Sequence, residues 1–366
     1  MLGYNYTESA YRKKYQTFEK MLDANAKKFS TAEAQADAIR EERDALRKER
    51  MKLQTLNMER NRIDRAEARQ ELYYEYVGQY VKSLPAPKIF SNCCSATVSP
   101  KSKEYLLTIA DIHYGATFNT ENNYYSPEVC TERFNVLLIE TVQFIKEHNL
   151  DHLNVLSLGD DIQGLIHMSD LRLNDTSMVK AIVEVSRLIA DFLYRLSAYV
   201  TVDYYHVPTA NHTQLRVLGM KPSEASEEDV EYIISQYIKD LLKYNNRVET
   251  HFGDDGSQFL FFELCGISIA ATHGHTVKDV NTAFDKISNY LNGVPEILIM
   301  GHFHGMKNMT VGERWGYDKE VIVCPSIIGS DPYADKLMVG SNPSAQILGF
   351  ELSKGHTETK KILLNN

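Results

Sequence analysis

Apolar side chains are sparse over the first 82 residues and recur at helical spacing. Ile39, Leu46 and Leu53 lie seven apart, a step of three leads to Leu56, and Ile63 follows after another seven. An a-to-d step of this kind belongs to a heptad repeat, in which one narrow apolar stripe seeks a partner helix. Between Gly3 and Gly78 there is neither glycine nor proline, and the first proline is Pro85. The positions between are rich in Ala, Glu, Arg, Lys, Gln and Leu, all strong helix formers. Ser30-Thr31-Ala32-Glu33 reads as a capping box, so two helices meeting near Ser30 are expected rather than one.

The pattern changes after a linker at residues 83–103, which holds Pro85, Pro87, Pro100 and several serines. From residue 104 short apolar runs alternate with amphipathic stretches. Strands are predicted at 105–110, 153–158, 201–207, 258–272, 295–300, 320–324 and 346–352. Helices are predicted at 128–148, 177–199, 226–243 and 279–292. The fold class is therefore α/β, layers of sheet and helix, preceded by a long helical, coiled-coil-like arm. The expected division is an arm at 1–82, the linker at 83–103 and a catalytic domain at 104–366.

Composition narrows the class. Hydrophobic residues make up 43% and charged residues 24%, ordinary for a globular protein and unlike a disordered chain. No apolar run approaches the roughly 20 residues that cross a bilayer, so no membrane association is expected. The N-terminus lacks a basic segment followed by an apolar one, so a secretory signal is not expected. Five cysteines at 93, 94, 130, 265 and 324 form neither an even disulfide framework nor a C-x-x-C pair, which fits a reducing cytoplasm.

Charge divides along the same boundary. Residues 1–82 hold 17 Lys and Arg against 14 Asp and Glu, a balance of +3; the total of −9 leaves −12 on the remainder. An acidic domain repels phosphate groups unless cations offset it locally.

Five of the strand-like runs end directly in chemistry-bearing residues: Asp111-Ile112-His113, Gly159-Asp160-Asp161, Asn211-His212, Thr272-His273-Gly274-His275 and Gly301-His302-Phe303-His304. In layered α/β folds the loops at strand ends converge, so segments distant in sequence can build one site. Imidazole and carboxylate donors suit zinc, manganese or iron, whereas an all-oxygen set suits magnesium or calcium. An aspartate has two oxygens and can bridge two ions, and Asp160, behind the tight turn that Gly159 permits, is the natural bridge.

This series of motifs resembles the calcineurin-like metallophosphoesterases over about residues 104–330, with a spacing similar to SbcD-like repair nucleases and their phage-encoded relatives. The resemblance implies a two-sheet sandwich flanked by helices, with a dinuclear metal site at its edge. It implies one ion on Asp111, His113, Asp160 and His304, and a second on Asp160, Asn211, His273 and His302. Manganese is the first expectation, with zinc or iron as alternatives. Two such ions clamp a phosphoryl group and lower the pKa of a bridging water. His212 is implied as general acid toward the leaving oxygen.

The third motif departs from the family's pattern, with Ala210 in place of glycine and Thr213 in place of the usual acid that orients the histidine. Thr213, Asp203 or Asp161 are the candidates for that orienting role. His167, Arg172 and Tyr333 are candidate substrate contacts. The expected activity is phosphodiester hydrolysis, with DNA as substrate; a small nucleotide is the alternative, and a non-catalytic scaffold a third reading. The helical arm is expected to make a homo-oligomer.

Overall fold

The computed structural model describes residues 8–25, 32–83, 102–165, 173–215, 228–253, 257–291, 293–314 and 316–365. The chain divides into two compact units, Met1–Tyr76 and Val77–Asn366. Two helices, α1 (Glu8–Ala24) and α2 (Ala32–Ser83), make up the described part of the first unit, and α2 runs on to Ser83. The junction expected near Ser30 falls among residues outside the description. The 52 residues of α2 correspond to roughly 80 Å of helix. Along it Leu46, Leu53 and Leu56 are 62%, 57% and 65% exposed. These three leucines are not buried, and exposed ion pairs of the helix, such as Arg40–Asp37 at 3.2 Å, add little stability.

The second unit contains a six-stranded sheet ordered β13-β12-β1-β4-β5-β6. Its strands are β1 (Lys103–Ile109), β4 (His152–Ser157), β5 (Thr201–His206), β6 (Val248–Phe252), β12 (Ser344–Glu351) and β13 (Gly355–Leu363). β1, β4, β5 and β6 run parallel, and β12 and β13 are antiparallel additions at one edge. A five-stranded sheet is ordered β10-β11-β9-β8-β7, from β7 (Leu260–Leu264), β8 (Ile267–Thr272), β9 (Ile297–Met300), β10 (Lys307–Arg314) and β11 (Tyr317–Val323). Within it β8, β9 and β11 are parallel. A two-stranded ribbon, β2 (Phe118–Asn119) with β3 (Tyr124–Tyr125), lies between β1 and the first covering helix in the sequence.

Strand periodicity separates three cores. Leu107, Ile109, Leu153, Val155, Val202 and Tyr204 pack against α3 (Pro127–His148), α4 (Met178–Leu196) and α5 (Glu231–Leu242). Leu106, Leu156 and Tyr205, on the opposite face of the same strands, meet Ile269, Ile297 and Ile299 between the sheets. Leu298, Met300 and Val323 turn away from that layer, toward Phe284 and Ile287 of α6 (Ala283–Leu291). The result is a two-sheet sandwich with helices on both outer faces.

Two helix starts follow from local chemistry. Ser126 caps α3 by accepting from the Val129 N–H at 3.3 Å, and Pro127 takes the first turn, where its missing donor costs nothing. Ser177 caps α4 in the same way.

The run predicted as one strand at 258–272 is instead a hairpin. Cys265 and Gly266 both have positive φ, 51° and 73°, and reverse the chain between β7 and β8. Both arms carry buried apolar residues, so hydrophobicity alone reads straight through the turn. β10 and β13, at the sheet edges, are more polar than the predicted strands and are additional to them. Among the described residues no helix is long and apolar enough to cross a membrane.

Candidate metal centre

The carboxyl ends of β1, β4 and β5 in one sheet and of β8 and β9 in the other deliver the five motifs to one edge of the sandwich. Backbone hydrogen bonds fasten these loops together. Asp111 N donates to Gly159 O (3.1 Å), His113 N to Asp160 O (2.9 Å) and Gly301 N to His273 O (3.0 Å). The loop after β11 closes the set, with Ile327 N donating to Ala110 O and Ile328 N to Asp111 O.

Five of the seven expected ligands adopt the left-handed backbone region: Asp111 (φ 53°), His113 (51°), Asp160 (55°), His302 (66°) and His304 (56°). For residues other than glycine this costs about 1–2 kcal/mol each, although Asp and His tolerate it better than most. Such conformations persist where the surroundings impose them, and they collect at functional sites.

The expected ligands form two groups whose donor atoms lie within ligand distance of one another, Asp111, His113 and His304, and Asp160, His273 and His302; a third set, His113, Asp160 and His212, spans them. Asn211 joins the second group, because its Oδ1 lies 2.8 Å from His273 Nε2. The same nitrogen lies 3.1 Å from Asp160 Oδ2, while His273 Nδ1 lies 2.9 Å from the Leu158 carbonyl. That carbonyl fixes the Nδ1–H tautomer. A neutral ring would then turn a bare Nε2 lone pair toward two acceptor oxygens, an arrangement that needs a cation between them. His113 is 2% exposed and neither of its ring nitrogens has a hydrogen-bond partner among the described residues. Its Nε2 stands 3.9 Å from Asp160 Oδ2. The donors and their orphaned atoms fit a pair of divalent ions, with Asp160 between the two groups.

Without ions, protons take their place. Burial alone opposes the charge of His273, but Asp160 and Asp111 outweigh it and raise its pKa to about 9. Burial likewise opposes ionisation of Asp160, and His273, His212 and His113 hold it well below the usual carboxylate range. Burial pushes Asp111 upward, with Asp160 adding to the effect. Burial and the neighbouring His273 depress His302 to about 3, and burial with His212 depresses His113. His302 and His113 are therefore neutral and ready to coordinate at physiological pH, whereas His273 must first surrender a proton.

His212 packs edge-on against His113, with ring centroids 4.5 Å apart. Its Nδ1 lies 2.7 Å from the Gln163 carbonyl oxygen, and its backbone N–H donates to Asp160 Oδ1 at 2.8 Å. The orienting group is thus a main-chain carbonyl rather than Thr213, Asp203 or Asp161. Asp203 is engaged by His152 and His251, and Asp161 by Ser157 and the Glu231 cluster. With Nδ1–H committed to Gln163, Nε2 carries a proton only in the imidazolium form. Gly164 (φ +61°) permits the close approach, since a Cβ there would lie 1.8 Å from His212 O.

Residues that sequence reasoning missed support these loops. Asp229 accepts from Thr209 Oγ1 (2.6 Å), Ala210 N (3.0 Å) and Glu231 N (3.0 Å), bracing the loop that lacks the family's acid. Glu231 accepts from Asp161 N at 3.2 Å and lies 2.6 Å from His206 Nε2. Burial and Asp229 raise the Glu231 pKa to about 8.

Three substrate contacts were expected from the sequence. His167 and Arg172 lie outside the described residues. Tyr333, in α7 (Pro332–Leu337), is 70% exposed, and Ser341, beyond that helix, donates its Oγ–H to His304 O at 2.6 Å. His275 is outside both ligand groups.

Residues 44–84 match the family described as the YonJ coiled-coil domain. An SPbeta prophage-derived uncharacterized protein, YonJ, of Bacillus subtilis (strain 168) is 33% identical over 369 residues, covering 98% of this chain and 88% of that protein. Among solved structures, Vps29 from Entamoeba histolytica, complexed with Zn2+, has a TM-score of 0.32 at 15% identity, covering 71% of this chain and 99% of that one. Purple acid phosphatase PPD1 from yellow lupin seeds has a TM-score of 0.33 at 6% identity, covering 72% and 54%. Likeness at this level carries no weight beside the motif residues and their geometry.

Proton competition yields a pH dependence. The His273 proton contributes to stability of the ion-free protein fully below pH 6.5, and that contribution is lost as pH rises through about 9. Divalent-ion affinity is accordingly expected to increase from pH 6.5 toward 9, with proton release on binding. Calorimetry in buffers of different ionisation enthalpy measures both, and an affinity flat across that range contradicts the arrangement.

Proposed function

The chain belongs to the YonJ family, and we propose that it is a dinuclear-metal phosphoester hydrolase acting on phosphodiesters, with DNA as its substrate. The observation that supports this most strongly is the convergence of Asn211 Oδ1 and Asp160 Oδ2 on His273 Nε2. In this reading Asp111, His113, Asp160 and His304 hold one ion, and Asp160, Asn211, His273 and His302 the other. Bound there, two ions supply Lewis acidity and compensate the phosphoryl charge, which an acidic domain otherwise repels. Manganese is the preferred ion, with zinc or iron as alternatives.

The chain's own groups perform the remaining tasks. The carbonyl of Gln163 holds His212 by its Nδ1–H, so the Nε2–H of the imidazolium is the proton available to a leaving oxygen. The Asp160 carboxylate fixes the His212 main chain by accepting its N–H, coupling the position of the acid to that of the bridging ligand. His113, packed against the His212 ring, limits its rotation.

A second reading, a small nucleotide as substrate, is favoured by the balance of −12 outside the arm, which disfavours a polyanion. Basic residues of α2, including Arg40, Arg43 and Arg47, are the counterweight that favours DNA, in the role of phosphate contacts. For the arm we propose self-association through its exposed leucines, in keeping with the coiled-coil domain matched at 44–84. The three described cysteines, Cys130, Cys265 and Cys324, are free and buried, which supports a cytoplasmic setting.

Manganese-loaded protein is expected to cleave both bis-p-nitrophenyl phosphate and DNA. Turnover of nucleotides alone selects the second reading, and no turnover of any phosphoester rejects the hydrolase. Asp160→Ala is expected to lose ion binding and activity together, while His212→Ala keeps the ions and slows turnover by about 10²–10⁴-fold. An unchanged rate in His212→Ala removes the general-acid role.

Deletion of residues 1–82 is expected to lower the oligomer mass measured by light scattering by more than the deleted segments weigh. An unaltered subunit number contradicts self-association through the arm.

A further inference from the structure

A second group of nitrogen and oxygen donors lies at the other end of the parallel strands. His152 begins β4, whereas Asp160 follows the strand's end, on the order of 20 Å away. Register places Asn154 beside Asp203, and Asp203 beside Glu249. By strand alternation His152 and Asn154 of β4, Asp203 of β5, and Glu249 and His251 of β6 share one face of the sheet.

Two imidazoles turn the same nitrogen toward one carboxylate. His152 Nε2 is 2.9 Å from Asp203 Oδ2, and His251 Nε2 is 3.4 Å from Asp203 Oδ1. Glu249 completes the cluster, with donor atoms of Asp203, Glu249 and His251 all within 4.8 Å of one another. Among the described residues the ion-pair partners of Asp203 are these two histidines, and Glu249 has no hydrogen-bond or ion-pair partner. Among the described residues Asp203 therefore pairs with imidazoles alone.

A further oxygen is orphaned nearby. Asn154, beside Asp203 in register, is 1% exposed; its Nδ2 donates to Tyr105 O, and its Oδ1 has no hydrogen-bond partner among the described residues. Buried acceptors without donors are rare, and a cation or its bound water satisfies them. The His251 ring is held by stacking on Tyr205, with centroids 4.7 Å apart and planes at 19°. The cluster is accessible: His251 and Asp203 side chains are 34% and 29% exposed.

We propose that Asp203, Glu249 and His251 bind a single zinc-like divalent ion, separate from the catalytic-edge centre, with His152 holding Asp203 from the β4 side. One imidazole and two carboxylates, with water at the fourth position, make a set that suits tetrahedral zinc rather than magnesium or calcium. The ion links β5 and the edge strand β6, and stabilises the sheet end opposite the active edge.

The test uses the full-length chain with Asp160→Ala, which removes the ligand shared by both ions of the other centre. Failure here is thereby separated from failure of the hydrolase reading. Titration with Co2+ is expected to give one equivalent at micromolar affinity, with the intense visible bands of a four-coordinate ion. Adding His251→Ala, a partly exposed edge-strand position, is expected to abolish those bands. In the otherwise wild-type chain His251→Ala is expected to lower total Zn2+ by one equivalent while circular dichroism and phosphodiester turnover are unchanged. Wild-type zinc content retained in His251→Ala, bands that survive it, or binding only at millimolar concentration would each overturn the proposal.

Discussion

Two oxygens that can only accept a hydrogen bond, on Asn211 and Asp160, face one imidazole nitrogen whose ring partner is already spent on Leu158 O. With His273 and Asp160 buried, such a cluster is tolerated only with positive charge between its members. A proton on His273 provides it in part, and divalent ions provide it fully. Much else in the second unit serves that convergence. Two parallel sets of strands end at the same edge, and their loops are tied to one another by main-chain bonds that pass between motifs. Left-handed backbone at Asp111, His113, Asp160, His302 and His304 is the conformational cost of pointing five donors inward from short loops.

Charge neutralisation also connects the centre with the character of the chain. The segment after the arm is strongly acidic, and burial would ordinarily drive Asp111 and Asp160 to take up protons. Imidazoles prevent this at Asp160 but not at Asp111, where the pKa is raised. Ion binding removes that asymmetry by holding both carboxylates ionised. Under the proposed function, bound ions would also turn a locally negative edge into one that attracts phosphate, tying substrate binding to ion binding.

The seven ligand candidates were legible because each follows an apolar run closely, and side-chain identity at a strand end survives any detail of packing. The two-sheet arrangement followed from the resemblance those motifs carry, and strand periodicity then accounts for the three cores. What holds His212 was not legible. Its partner is the Gln163 carbonyl, and a main-chain atom leaves no mark on the sequence. Asp229, which braces the loop before His212, comes from 17 positions downstream of that histidine, across residues with no periodic signal. The hairpin at Cys265–Gly266 was hidden because its turn lacks an Asn-Gly or Asp-Gly pair and buried apolar residues flank it on both sides. Along α2 the stripe of leucines was visible, but an exposed stripe specifies a need for a partner without specifying which one.

Anomalous diffraction from crystals grown with manganese tests the central claim most directly. Two peaks about 3.5–4 Å apart are predicted, one among Asp111, His113 and His304, the other among Asn211, His273 and His302, with Asp160 touching both. A single peak, or none at this edge while the seven side chains keep their positions, would contradict the account.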